Sequence, residues 1–231
     1  MNGGPQLTEN SRNSLAVRSL GLFLCLSSMF LLYPHLATSN SSRLLLDSIF
    51  TVSIACSLFQ DSGLQYRVRI SYVTTGILAI SSTWLAFFSN VAEYLVPISY
   101  SVFFGTTVLV HLRTLFADPE VHWHTLVGAA CTYILIGLFF ASINAVLLQL
   151  DPQSMVLPKD ETEPFFQLIY FSFVTLTTVG YGDVLPASNA ARMLAAYEAV
   201  IGQSYVAVVV GLLVGKHKGS SDRTRAGSLT G

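Results

Sequence analysis

The sequence predicts an all-α membrane protein: a four-helix front module, then two helices that bracket a short re-entrant helix and a loop. Three observations predict it. Of 231 residues, 52% are hydrophobic and only 11% are charged, with a mean hydropathy of +0.58, whereas a soluble domain usually carries about 25% charged residues. Six apolar runs approach the ~20 residues that cross a hydrocarbon layer of ~30 Å. A seventh apolar run is too short to cross and leads into a loop with glycines at alternate positions.

The six spans fall at about 20–36, 44–59, 70–88, 92–112, 126–148 and 190–214. The first ends in Ala37-Thr38-Ser39, which has the character of a leader cleavage site. A retained helix is expected instead, because cleavage would leave an odd number of spans. Between the fifth and sixth spans come a polar, acidic segment at 151–163 and the short run 164–176. Pro164 suits the first turn of a helix, where a missing N–H costs nothing. Irregular backbone after such a helix is tolerable at membrane depth only where protein encloses it. With both termini on the cytoplasmic side, nine basic residues lie inside (Arg12, Arg18, Arg67, Arg69, Arg113, Lys216, Lys218, Arg223, Arg225). Three lie outside (Arg43, Lys159, Arg192). That bias sets the orientation. Cys25, Cys56 and Cys131 sit in apolar runs without metal-ligand spacing, so they read as reduced packing residues. The five histidines are scattered. No catalytic triad, nucleotide-binding or zinc motif appears, so an enzyme is not expected.

The loop reads Thr178-Val179-Gly180-Tyr181-Gly182-Asp183. Gly180 and Gly182 can take φ > 0 without a Cβ clash, so successive carbonyls can face one side. Gly-Tyr-Gly-Asp alone also serves as an ordinary surface turn. Here it follows a short apolar helix and lies between two apolar spans. Residue for residue, the segment resembles the signature of potassium channels, and the chain resembles a prokaryotic-type, six-span, one-pore channel of the voltage-gated-like superfamily. The resemblance implies a homotetramer in a plasma or inner cell membrane, in contact with lipid. Carbonyls of Thr178, Val179, Gly180, Tyr181 and Gly182 would replace the hydration shell of K+ in a selectivity filter. It implies K+ in the filter, no organic cofactor and no nucleic-acid partner.

Further positions match that family. Thr177, Tyr170, Phe171 and Asp183 would support the filter, with the Tyr170 hydroxyl donating to Asp183; plain packing of the two aromatics is the other reading. Val174 stands where some bacterial channels carry a glutamate. The carboxyl end of the short helix would turn its partial negative charge toward a central cavity. Tyr181 and Gly202 are 21 positions apart, the family's spacing from filter tyrosine to inner-helix hinge glycine; a close helix contact is the alternative. Gln203, Val206, Val210 and Val214 share one helix face, assigned to the cavity and a hydrophobic gate. Glu198 is an acid in an apolar span and so a functional candidate. It either bonds groups behind the filter or between subunits, or lines the cavity.

The implied organisation is a cytoplasmic N-terminus (1–19), a voltage-sensor-like module without its charge array (20–115), a short linker (116–125), a pore domain (126–215) and a disordered cytoplasmic tail (216–231). A sensor needs repeated arginines, since one charge moved through 100 mV yields only ~2.3 kcal/mol. The fourth span, followed from Glu93 to Leu115, holds a single arginine, Arg113, near its inner end. Pro97 is expected to break its regularity. Asp47 reads as a cap. His111, His122, His124 and His217 lie near the inner face, as pH sensors or as packing and exposed residues, and Trp123 reads as an interfacial anchor. The tail is too short for a soluble regulatory domain. Expected, then, is a voltage-insensitive, K+-selective channel; the alternatives are a weakly selective cation channel, a potassium transporter subunit and a non-conducting regulatory subunit.

Overall fold

The computed structural model describes residues 20–28, 48, 51–52, 66–88, 95–117, 123–158 and 164–227. Most of the first two predicted spans lies outside them, together with Asp47, Cys56, Arg43, His122 and Lys159. Residues 20–28 are helical. Five longer helices follow: α1 (Tyr66–Phe88), α2 (Leu95–Ala117), α3 (Trp123–Leu150), α4 (Pro164–Leu176) and α5 (Asn189–Gly227). Two short strands, β1 (Met155–Val156) and β2 (Leu185–Pro186), pair antiparallel on either side of α4 and its loop.

Three described helices are long and apolar enough to cross a membrane: Leu95–Phe116, Thr125–Leu150 and Asn189–Leu212. The 28 residues of α3 rise about 42 Å, ample for a ~30 Å core. The 13 residues of α4 rise only about 20 Å. That helix is too short to cross such a layer.

Two local expectations need correcting. Pro97 does not interrupt the fourth span: α2 begins at Leu95, so the proline falls in the first turn, where its missing N–H removes no helical bond. The chain also does not leave regular structure at Lys216, because α5 continues through Gly227. No proline intervenes there to stop propagation.

Packing joins the front of the chain to the back. Leu22 and Leu26 of the first helical stretch, Phe103, Phe104 and Val110 of α2, and Cys131, Leu135, Leu138 and Ala141 of α3 form one buried cluster with Ile169 of α4. Cys25 and Cys131 are free thiols. The α1–α2 contact is of a different kind. Ser82 and Ser99 pair at 2.6 Å, Thr83 donates to the Tyr100 hydroxyl at 3.3 Å, and Thr75 meets Thr106 at 3.4 Å. Thr51 reaches the same tyrosine hydroxyl at 3.3 Å. Between membrane helices such bonds contribute about 0.6 kcal/mol each. His111, buried, pairs its Nδ1 with Thr107 O at 3.0 Å. Trp123 is exposed at the start of α3.

The crossing of α3 and α4 is close. A Cβ on Gly137 would stand 2.6 Å from the tip of the Phe173 ring. Gly137→Val is therefore expected to displace that ring and lower stability by about 1–3 kcal/mol, read as an earlier thermal unfolding midpoint in detergent micelles.

Candidate functional site

The site is built on the carboxyl end of α4. This helix begins at Pro164 and ends at Leu176, and the chain after it folds back on its last turn. Thr177 N donates to Phe173 O at 3.0 Å, Thr178 N to Thr175 O at 3.0 Å and Val179 N to Val174 O at 2.9 Å; Gly180 N reaches the same Val174 O at 3.3 Å. Thr177 Oγ1 adds a bond to Phe173 O at 2.6 Å. A helix end leaves four carbonyls without partners. Those of Phe173, Val174 and Thr175 are answered by the loop, and Leu176 O by the Tyr133 hydroxyl of α3 at 3.1 Å.

This capping dictates where the loop's carbonyls go. In a trans peptide the N–H lies opposite the C=O of the preceding residue. The N–H groups of Thr178, Val179 and Gly180 all point back at the helix, so the carbonyls of Thr177, Thr178 and Val179 all point away from it. The dihedrals agree: φ is +60° at Thr178, +60° at Gly180 and +81° at Gly182, while Val179 and Tyr181 stay negative. Alternating sign turns successive peptide planes the same way. At the two glycines it costs little. At Thr178, a β-branched residue, it is a genuine outlier costing about 1–3 kcal/mol. Sequence reasoning had no signal for that strain.

The outer end of the loop is tied separately. The Tyr170 hydroxyl donates to Asp183 Oδ2 at 2.7 Å, and the Tyr170 and Tyr181 rings lie nearly parallel, centroids 6.4 Å apart. The Tyr170 bond holds the Asp183 carboxyl below the usual carboxylate range. Phe171 is buried with Met155, Leu168, Val184 and Ala191. It fastens α4 to the segment that carries Asp183. Strand β2 continues that segment: Met155 faces Pro186 and Val156 faces Leu185, and Ala187 N donates to Ser154 O at 2.7 Å. Ser188 then caps α5, its Oγ accepting from Ala191 N at 3.1 Å, as an N-cap serine does. Arg192 Nε donates to Pro186 O at 3.3 Å. Neither the strand pair nor the Ser188 cap was anticipated; a serine two residues before a polar-to-apolar transition was the available signal.

On α5, Gln203, Val206 and Val210 are exposed, away from their own chain's core, and Val214 continues the same helix. Gly202 lies on the buried side. A Cβ there would stand 2.5 Å from Leu176 O and 2.9 Å from the Leu176 side chain. Of the two readings of this glycine, the geometry carries close contact: α5 rests on the last carbonyl of α4. The Tyr205 ring packs at a tilt against Tyr133, centroids 5.8 Å apart, and its hydroxyl donates to Ala129 O at 2.7 Å. Tyr133 was missed from sequence, being one aromatic among many in an apolar helix. Glu198 is fully buried within the single chain. Cavity lining is therefore not its place, nor is a contact between subunits: either would leave it exposed on the isolated chain.

Residues 128–216 match the model of the family described as ion channel. Curated relatives are potassium channels by name. "Potassium channel subfamily K member 4" of Rattus norvegicus is 31% identical over 128 residues, 52% of this chain and 30% of that protein. "Two pore potassium channel b" of Oryza sativa subsp. japonica is 38% identical over 84 residues, 36% of this chain and 22% of that protein. "Potassium voltage-gated channel subfamily KQT member 3" of Homo sapiens is 30% identical over 109 residues, 47% of this chain and 12% of that protein. The chain thus spans less than a third of each of these relatives. A multi-pass membrane protein with an ion-channel region similar to those of potassium channels is what fold, loop and likeness have in common.

Proposed function

We propose that the chain is one subunit of a homotetrameric, potassium-selective channel that passes K+ down its gradient, with six spans and both termini in the cytoplasm. The observation that carries this reading is the turning of three consecutive amides onto the end of α4, which leaves the carbonyls of Thr177, Thr178 and Val179 facing one way. Four such loops around an axis would make stacked rings of oxygens; Gly180, Tyr181 and Gly182 would complete the filter. Gln203 would line the cavity below, and Val206, Val210 and Val214 would form a hydrophobic constriction that gates by dewetting. The front module would not sense voltage, since α2 carries a single arginine near its inner end and one charge supplies only ~2.3 kcal/mol per 100 mV. A non-conducting subunit that co-assembles with another channel is the second reading.

Purified protein in liposomes is expected to give barium-blockable K+ flux, no Na+ flux and little change with clamped potential. Flux of both ions would refute selectivity; silence at every potential would favour the second reading. Gly180→Ala or Gly182→Ala places an L-residue at positive φ, at about 1–2 kcal/mol, and is expected to lower the K+ to Na+ flux ratio.

Gly202→Ala is expected to push α5 off Leu176 O, lowering stability by about 1–3 kcal/mol along with flux. A glycine needed only for bending would leave the unfolding midpoint nearly unchanged.

Tyr170→Phe removes the donor to Asp183 while keeping the ring. The ionised carboxylate is the form that accepts this bond, so the tie holds at neutral pH and is lost as pH falls through the lowered pKa. The carboxyl-carbon resonance of Asp183 is expected to titrate at higher pH in the variant than in wild type.

A further inference from the structure

Glu198 is the one acid buried in an apolar span among the described residues, and nothing above uses it. Its carboxyl sits where three helices meet. Ser172 of α4 and Asn144 of α3 face it, both fully buried. Asn144 Nδ2 donates to Ser172 Oγ at 3.3 Å. Neither neighbour directs a hydrogen in bonding geometry at Glu198 Oε1 or Oε2, and Asn144 Oδ1 also finds no donor among the described residues. Buried acceptors without donors are costly. The Ser172 hydroxyl can rotate onto one Glu198 oxygen. Asn144 Oδ1 needs a donor from elsewhere. An ionised carboxylate only accepts, whereas the neutral acid also donates.

The other titratable groups on the packed elements are engaged or distant. On α4, Tyr170 is turned to Asp183. On α3, Tyr133 is turned to Leu176 O and Cys131 lies near it along the helix. On α5, Arg192 is turned to Pro186 O, Tyr197 lies edge-on to Phe140 and Tyr205 is bonded to Ala129 O. No charged side chain is among the groups that act on Glu198.

We propose that Glu198 is a positioning residue for the filter loop, acting as a neutral acid that donates to Asn144 and accepts from Ser172. Ser172 immediately precedes Phe173, Val174 and Thr175, whose carbonyls receive the loop's amides. A tie at Ser172 therefore fixes the rotation of α4 on which the direction of the loop depends. This inference rests on the reading of that loop as a K+ path.

The test compares wild type, Glu198→Gln, Glu198→Ala and Ser172→Ala in liposomes, reading the K+ to Na+ flux ratio from mildly acid to mildly alkaline pH. The same proteins are measured by infrared difference spectroscopy at neutral pH. Glutamine donates and accepts at the same atoms, so Glu198→Gln is expected to keep the wild-type ratio and lose its pH dependence, while the wild-type ratio falls on the alkaline side. Glu198→Ala and Ser172→Ala are expected to lower the ratio about tenfold, the effect of roughly one buried hydrogen bond left unmade. Ser172→Ala keeps the buried acid, so it stands even where Glu198→Ala fails to fold. Wild type minus Glu198→Gln should show the carbonyl band of a protonated acid. A carboxylate band would overturn the proposal, with the Asn144 amide turned over to face an ionised Glu198. Glu198→Gln as defective as Glu198→Ala, or Glu198→Ala unchanged, would overturn it equally. Absence of K+ flux in every protein would refute the pore reading, and the infrared bands would still decide the state of Glu198.

Discussion

The last turn of α4 has no helix after it to take its carbonyls. That constraint governs everything around it. The chain answers by folding the amides of residues 177–180 back onto Phe173, Val174 and Thr175 and by bringing the Tyr133 hydroxyl to Leu176 O. Once the amides are committed, the direction of the following carbonyls is no longer free, because peptide planarity fixes one from the other. The unusual backbone at Thr178 is then a consequence. A β-branched residue tolerates positive φ only where its surroundings over-determine it, and here both of its neighbouring peptides are anchored to the helix. Oxygens aligned on one side are, on the proposed function, what a dehydrated K+ requires.

Other contacts keep that turn in place. Leu176 O is approached from α5 so closely that only a glycine fits at 202. Behind it, the Tyr133–Tyr205 ring contact and the bond from Tyr205 to Ala129 O lash α5 to α3. Beyond the loop, Phe171 packs under the strand pair and Tyr170 holds Asp183. The loop is thus clamped at both ends by different elements, with its middle span free of bonds from its own side chains. On the proposed function, rigid ends and an open middle suit a segment whose carbonyls meet ions rather than protein.

How much of this was legible beforehand follows from what membrane sequences encode. The limits of α4 at Pro164 and Leu176 could be read because a proline, an apolar run and a pair of threonines mark them. The positive φ at Gly180 and Gly182 could be read because glycine takes that conformation at little cost. The buried face of α3 could not. In water, apolar periodicity separates inside from outside, but in lipid both faces of a helix are apolar, so nothing distinguished Tyr133 or Leu135 from their lipid-facing neighbours. Glu198 was conspicuous as an acid, yet its direction was not legible: the same residue type suits a cavity wall or a sealed contact, and only its complete burial separates the two. Gly202 posed the same problem, since a bend and a close approach call for the same residue.

The front of the chain shows how a helical bundle coheres without the charges its layout suggests. In a voltage sensor, arginines moving through the field supply the work; α2 offers only Arg113, exposed near its carboxyl end. What joins α1 and α2 instead is a ladder of hydroxyl contacts, Thr75 with Thr106, Ser82 with Ser99 and Thr83 with Tyr100. Hydroxyl contacts carry no net charge, so the membrane potential does no work on them, and sliding one helix past the other would break several at once. Meanwhile Phe103, Phe104 and Val110 share a single core with Cys131, Leu135 and Leu138 of α3. On the proposed function, helices pinned by neutral bonds and continuous with the helix that holds Tyr133 are suited to bracing α3 rather than to moving it.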